Sequence, residues 1–232
     1  MNVDAAILVL AKAPIAGLAK TRLTARWSPT QAADLAAAAL LDTLAAVTAA
    51  SVTHRIVALT GDLDRAQRSD EIRRALAGFD VIEQHGETFG TRLANAHCES
   101  AFRVGVPVLQ IGMDTPQADA RLLTASAELL CAPSCTAVLG PAEDGGWWAL
   151  GLRDPAAAGV LPTVAMSTST TCASTLAALH GIGVRVRRLT TLRDVDEPAD
   201  VGAVAALCPA RSEFATTANR LSAAAAVSGQ SC

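Results

Sequence analysis

Ala5-Ala6-Ile7-Leu8-Val9-Leu10 runs without a break into Ala11-Lys12-Ala13-Pro14-Ile15-Ala16-Gly17-Leu18-Ala19-Lys20-Thr21-Arg22-Leu23. The first part is the uniform apolar run of a buried strand. The second is a loop of small residues in which Gly17 lets the chain pass close to a ligand and Lys12, Lys20 and Arg22 supply cationic donors. This order reads as a phosphate loop: arginine can grip two phosphate oxygens at once, and lysine acts as a mobile point charge. It is not a Walker A loop, because the G-x-x-x-x-G-K-[ST] spacing is absent. A solvated surface turn has the same composition, so from this segment alone both readings stand.

Downstream the pattern alternates. Ser28-Pro29-Thr30-Gln31 offers an N-cap, a proline at the first helical position and a glutamine placed for a capping box, which predicts a helix to about Ala50. A strand is expected over 55–60, a helix over 70–77 stopped by Gly78, a short strand over 79–83, a helix over 89–103, a strand over 106–111, a helix over 119–130 and a strand over 136–139. Such alternation specifies an α/β sheet layered by helices. Trp147 to Leu152 reads as a further strand, but its connection through Asp144-Gly145-Gly146 is too short for a helical crossover, so an antiparallel or mixed element is expected there. A helix over 167–180, a strand over 184–189 and a closing helix over 198–207 follow. The Ala/Ser-rich stretch from Pro209 to Cys232 carries little patterning and reads as a tail that frays, leaving 1–208 as the domain.

With 232 residues, 51% hydrophobic and 18% charged, the chain fits one large domain. A net charge of -3 gives no general basic field, which argues against a nucleic-acid polymer as partner and leaves small phosphorylated ligands open. Met1-Asn2-Val3-Asp4 has no cationic leader character, and Lys12 interrupts the early apolar run short of a membrane span; a soluble, cytoplasmic protein is expected. The cysteines at 98, 131, 135, 172, 208 and 232 show no paired C-x-x-C spacing, so packing accounts for them better than a disulfide framework or a zinc site.

Three clusters place acids at expected strand ends. In Ile111-Gly112-Met113-Asp114-Thr115-Pro116, Asp114 lies just past an apolar strand, where open α/β sheets bind ligands. It is a magnesium candidate on the chemistry of hard oxygen ligands, or else a turn residue before Pro116. Gly140-Pro141-Ala142-Glu143-Asp144-Gly145-Gly146-Trp147-Trp148 looks like a ligand-facing corner. Asp144 there can hold a sugar hydroxyl, a metal-bound water or an acceptor proton, while the tryptophans cover a ring or pack in the core. Asp194-Val195-Asp196 projects two acids to one side if extended, or caps the helix at Pro198.

Together, Lys12 to Leu23, Gln84 to Leu93, Ile111 to Pro116 and Gly140 to Leu152 resemble, in this order, the bacterial glycosyltransferase-A-like family similar to 2-phospho-L-lactate guanylyltransferase. Asp194-Val195-Asp196-Glu197-Pro198-Ala199-Asp200 looks like that family's closing motif. The resemblance covers roughly residues 5 to 207. It implies a single-domain, Rossmann-like nucleotide-diphospho-sugar transferase fold with a mixed, mainly parallel sheet.

By that resemblance, Ala11, Lys12, Gly17, Lys20, Arg22, Gly90 and Arg92 would bind the nucleotide. Asp114, Asp194 and Asp196 would gather magnesium, with manganese as a substitute. Asp144, Gly145, Gly146 and Trp147 would face a small acceptor, and Asp144 and Lys20 would act in catalysis. The pair Trp147-Trp148 stands where the family more often has hydroxylated aromatics, and the chain contains no tyrosine. The implied activity is a magnesium-dependent transfer of a nucleotidyl or glycosyl group from a nucleoside triphosphate or nucleotide-sugar. The alternative is a nucleotide-binding regulatory protein without turnover.

Overall fold

The computed structural model describes residues 2–229, with side chains as far as residue 224. Strands β1 (Val3–Lys12), β2 (Val52–Thr60), β3 (Asp80–Glu83), β4 (Val108–Gly112), β5 (Ala137–Pro141), β6 (Trp147–Leu152) and β7 (Val186–Arg188) form one sheet in the order β3-β2-β1-β4-β6-β5-β7. Strand β6 is antiparallel to both β4 and β5, and the other pairings are parallel. The short Asp144-Gly145-Gly146 connection therefore makes a reversal, as its length requires.

Helices α1 (Pro29–Ala49), α2 (Ser69–Leu76), α3 (Phe89–Val104), α4 (Ala120–Cys131), α5 (Thr171–Gly181), α6 (Pro198–Ala205) and α7 (Glu213–Gly229) layer the sheet. One apolar cluster joins α1, α2 and α4 to one face through Ile7, Val9, Leu40, Ile72 and Leu123. A second joins α3, α5 and the 3-10 segment Pro155–Thr163 to the other face through Leu8, Leu93, Leu161 and Leu176. This is a doubly covered α/β sheet, and β1 and β4, buried on both faces, read as apolar runs for that reason.

Helix α1 begins as its capping residues require: the Ser28 amide donates to Gln31 Oε1 at 2.9 Å, and the Gln31 amide to Ser28 Oγ at 3.2 Å. By composition α1 is long and apolar enough to cross a membrane, with a mean hydropathy of 1.5, but 67% of that stretch is buried. It packs on the sheet with one side and on α7 with another. Its alanines let these elements approach closely.

Two expectations change. The stretch after Pro209 does not fray over its described residues: α7 buries Phe214, Ala215, Ala218 and Leu221 against α1 and α6 in a third cluster. Asp42 caps it by accepting the amides of Glu213 and Phe214 at 2.9 and 2.8 Å, and residues 230–232 lie outside the described chain. The helix expected from Ser167 starts at Thr171. Ser167 takes φ +59°, and the Thr168 amide donates to Thr171 Oγ1 at 3.0 Å, which holds the preceding loop in a turn.

Candidate functional site

The chain leaves β1 toward β2 and β3 on one side and then returns to place β4 on the other. The topological switch point therefore lies between β1 and β4, at their C-terminal ends, where open α/β sheets hold ligands. A cleft of about 860 Å³ opens there. Its walls come from the end of β1 (Ala11, Lys12), the loop Leu18 to Arg22, the start of α3 (Phe89, Arg92), the end of β4 and the residues after it (Gly112 to Asp114), the corner residues Asp144, Gly146, Trp147 and Trp148, and Asp194 and Asp196.

Lys20 is the pivot of this cleft. It has left-handed backbone angles, φ 46° and ψ 47°, a conformation that costs a non-glycine residue energy. Buried Ala19 and Leu23 anchor the chain on either side of it. That backbone aims Lys20 Nζ between Asp114 Oδ2 at 2.9 Å and Asp196 Oδ1 at 2.8 Å. Burial works against the ammonium charge, but the two carboxylates outweigh it and the Lys20 pKa lies above its ordinary value. Arg22, more exposed, reaches Asp196 Oδ2 at 3.2 Å. Lys12 ties the loop to itself by donating to the Leu18 carbonyl at 2.7 Å.

The acids meet through backbone pairing between distant segments. Leu192 forms an isolated parallel bridge with Ala142, the Leu192 amide donates to the Pro141 carbonyl, and the Glu143 amide donates to Leu192. The Arg193–Glu143 pair at 2.6 Å closes the outer side. Two residues past Arg193, Val195 is buried and donates its amide to the Asp114 carbonyl at 3.0 Å. Because alternate residues of an extended segment share a side, Asp194 and Asp196 both face the cleft. Helix α6 is capped by other acids: Glu197 stands at its N-cap, and Asp200 accepts the amides of Asp196 and Glu197.

A carboxylate oxygen from each of Asp144, Asp194 and Asp196 lies within 4.8 Å of the other two. Burial, together with Asp144 and Asp196, pushes the Asp194 pKa up to about 6. Burial acts the same way on Asp196, but Lys20 and Arg22 hold its pKa below the ordinary carboxylate value. Four acids thus face two close cations, and one divalent ion would balance the excess charge. The all-oxygen donor set suits magnesium or manganese.

The structure groups these residues differently from the sequence reading. Asp144, expected on the acceptor side, stands with Asp194 and Asp196, while Asp114 lies outside that group of three and pairs with Lys20. Ala11, Lys12, Lys20, Arg22, Arg92, Gly146 and Trp147 line the cleft. Gly17, Gly90 and Gly145 do not. Gly17 makes an exposed turn at φ +78°. Gly90 is a packing residue: a Cβ there would sit 2.4 Å from the Leu161 carbonyl oxygen. Gly145, at φ +91°, lies against the Ser169 carbonyl, which a Cβ would meet at 2.0 Å.

Trp148 is buried and donates to the Thr190 carbonyl, whereas Trp147 donates to Thr175 Oγ1 at 3.2 Å at the cleft edge. Gln84 and Gln110, which the sequence reading passed over, both line the cleft. A lone amide inside the apolar run of β4 was the available signal for Gln110.

Replacing Asp194 with asparagine removes a penalised charge. A folded-state pKa near 6 against an ordinary 3.8 costs nothing below about pH 4, costs progressively more as pH rises through 6, and costs fully above it. With solvent screening allowed for, Asp194→Asn should stabilise the metal-free protein by about 1–2 kcal/mol at pH 7.5 and by nothing at pH 4. Urea denaturation at both pH values checks this; an equal effect at both would show that charge is not the cause.

Residues 43–168 match the profile of a family described as "Uncharacterized protein conserved in bacteria" (DUF2064), and the chain belongs to that family. None of the curated proteins matches it in sequence. A solved structure of a candidate nucleotide-diphospho-sugar transferase from Desulfovibrio desulfuricans G20 superposes with a TM-score of 0.80 at 23% identity, covering 97% of each chain. CMP:2-keto-3-deoxy-manno-octonic acid synthetase complexed with CTP gives 0.53 at 14% identity, covering 88% of this chain and 98% of that one. Rv0371c of Mycobacterium tuberculosis H37Rv, complexed with manganese, gives 0.52 at 20% identity with the same coverage. The chain thus shares its fold with these structures.

Proposed function

We propose that this chain is a cytoplasmic, divalent-metal-dependent nucleotidyltransferase that joins a nucleotidyl group from a nucleoside triphosphate to a small acceptor. The observation that carries this reading is the convergence of Asp144, Asp194 and Asp196 with Lys20 and Arg22 at the β1/β4 switch point. Neighbours of the same fold that handle CTP or bind manganese support it.

In the reaction, an acceptor oxygen bonds to the α-phosphorus, the bond to the bridging oxygen of the β-phosphate breaks, pyrophosphate leaves with the electron pair, and the acceptor's proton passes to solvent. Asp144, Asp194 and Asp196 would hold magnesium, or manganese in its place. The ion would neutralise phosphate charge and polarise the reacting phosphoryl group. Lys20 and Arg22, held on Asp196 in the free protein, would turn to the phosphates and stabilise charge on the departing pyrophosphate. Gly146 and Trp147 would bound the acceptor end.

A thermal-shift panel of ATP, GTP, CTP and UTP, each with magnesium or with EDTA, tests the reading. A ligand at about 100 times its dissociation constant should stabilise the protein by roughly 2.7 kcal/mol, with magnesium only. No shift with any of the four refutes the reading. Pyrophosphate released from a triphosphate marks nucleotidyl transfer, a nucleoside diphosphate released from an added nucleotide-sugar marks glycosyl transfer, and binding without either product over a broad acceptor panel marks a regulatory protein.

A further inference from the structure

Beneath the cleft, on the α3 side of the sheet, lies a polar group that the phosphate and metal chemistry does not use. Gln110 is at the centre of β4, flanked by Leu8 of β1 and Leu150 of β6, and is fully buried. Its Oε1 lies 3.3 Å from Nδ1 of His97 on α3, which is buried as well. Burial pushes the His97 pKa down to about 4, so the ring is neutral at physiological pH and its Nδ1–H can donate to the glutamine oxygen. This contact fixes the amide and turns its NH2 away from the histidine. Gln110 Nε2 has no partner among the described residues.

An unpaired buried amide donor is costly, and native proteins leave few of them. The space around this one points to its use. Side chains two apart on a strand share a face, so the position directly above Gln110 is Gly112. A Cβ at Gly112 would meet nothing nearer than the Asp114 amide nitrogen at 3.9 Å. The missing side chain leaves a gap in the floor of the cleft, beside Leu10 of β1 and above the amide. It lies at the β1/β4 switch point, next to the loop that carries Lys20.

We propose that Gln110 is a specificity-determining residue whose Nε2–H donates, through the gap at Gly112, to an oxygen of the base or ribose of the bound nucleotide, with His97 as the residue that positions it. The proposal rests on the nucleotidyltransferase reading. It assigns the nucleoside, not the acceptor, to the α3 side of the switch point.

The test compares the parent protein with Gln110→Met, which keeps the length of the side chain and removes the donor, and with Gly112→Val, which fills the gap without touching the amide. The probes are the four nucleoside triphosphates and inorganic tripolyphosphate, all with magnesium, in calorimetric titrations. Tripolyphosphate carries the phosphates without the nucleoside. Both variants should bind the parent's preferred nucleotide about tenfold more weakly, with preference among the four flattened, and bind tripolyphosphate as the parent does.

Unchanged nucleotide affinity in both folded variants would make the amide structural and overturn the proposal. Equal losses for nucleotide and tripolyphosphate would do the same, since the effect would then be on the cleft as a whole. A parent that binds tripolyphosphate but shows no gain from any nucleoside refutes the proposal while leaving the phosphate site intact. A parent that binds none of the probes refutes the nucleotide reading and the proposal with it.

Discussion

Lys20→Ala should shift the affinities for metal and nucleotide in opposite directions. The ammonium sits between Asp114 and Asp196 with only 11% of its side chain exposed, so its removal leaves two carboxylates facing Asp194 and Asp144 with little compensation. Breaking a fully buried pair costs about 3–5 kcal/mol. The aspartates here are 38% and 31% exposed, and solvent screening brings the expected loss to about 1–3 kcal/mol in EDTA. Magnesium should bind the variant more tightly than the parent, because a competing cation is gone from Asp196. A nucleoside triphosphate should bind about 10–100-fold more weakly, because a charge-assisted phosphate contact is gone. Titrations of magnesium alone and of nucleotide with magnesium measure the two effects. A fall in both affinities would reduce Lys20 to a structural role.

Gly145→Ala should cost the fold more than any exposed substitution near the cleft. The backbone there is at φ +91°, and the added methyl would lie 2.0 Å from the Ser169 carbonyl oxygen, so the corner must open. The Cys172 amide donates to the Gly145 carbonyl at 2.8 Å, tying the corner to the first turn of α5, and the movement would strain that contact. A loss of about 2–4 kcal/mol is expected. Metal affinity should fall with it, since Asp144 is the next residue and belongs to the acid cluster. Gly183→Ala is the control: φ is +80° there, but no atom lies within 4 Å of the added methyl, so only the backbone cost of about 1 kcal/mol applies. Equal losses in the two variants would show that the corner tolerates the contact.

Much of this architecture is local and therefore legible in the sequence. The apolar run of β1, the Ser28/Gln31 capping box and the short connection before β6 each state their own structure. The period of two in Asp194-Val195-Asp196 correctly put both acids on one side. The grouping of the acids was not legible, because the bridge between Ala142 and Leu192 joins segments 50 residues apart and neither carries a strand pattern of its own. The role of Gly90 depends on the 3-10 segment Pro155–Thr163 far along the chain, whose Leu161 carbonyl occupies the space a side chain would need. Helix α7 hides in the sequence because its contact face is mostly small residues around Phe214, which gives a weak apolar stripe.

The most direct measurement is a calorimetric titration of the preferred nucleoside triphosphate into the parent and into Asp194→Asn, each in magnesium and in EDTA. The acid cluster at the β1/β4 switch point predicts one nucleotide per chain bound by the parent in magnesium, with binding about tenfold or more weaker in EDTA. Asp194→Asn should bind weakly in both. Nucleotide binding of equal strength in magnesium and EDTA, or full magnesium dependence in the folded variant, would contradict it.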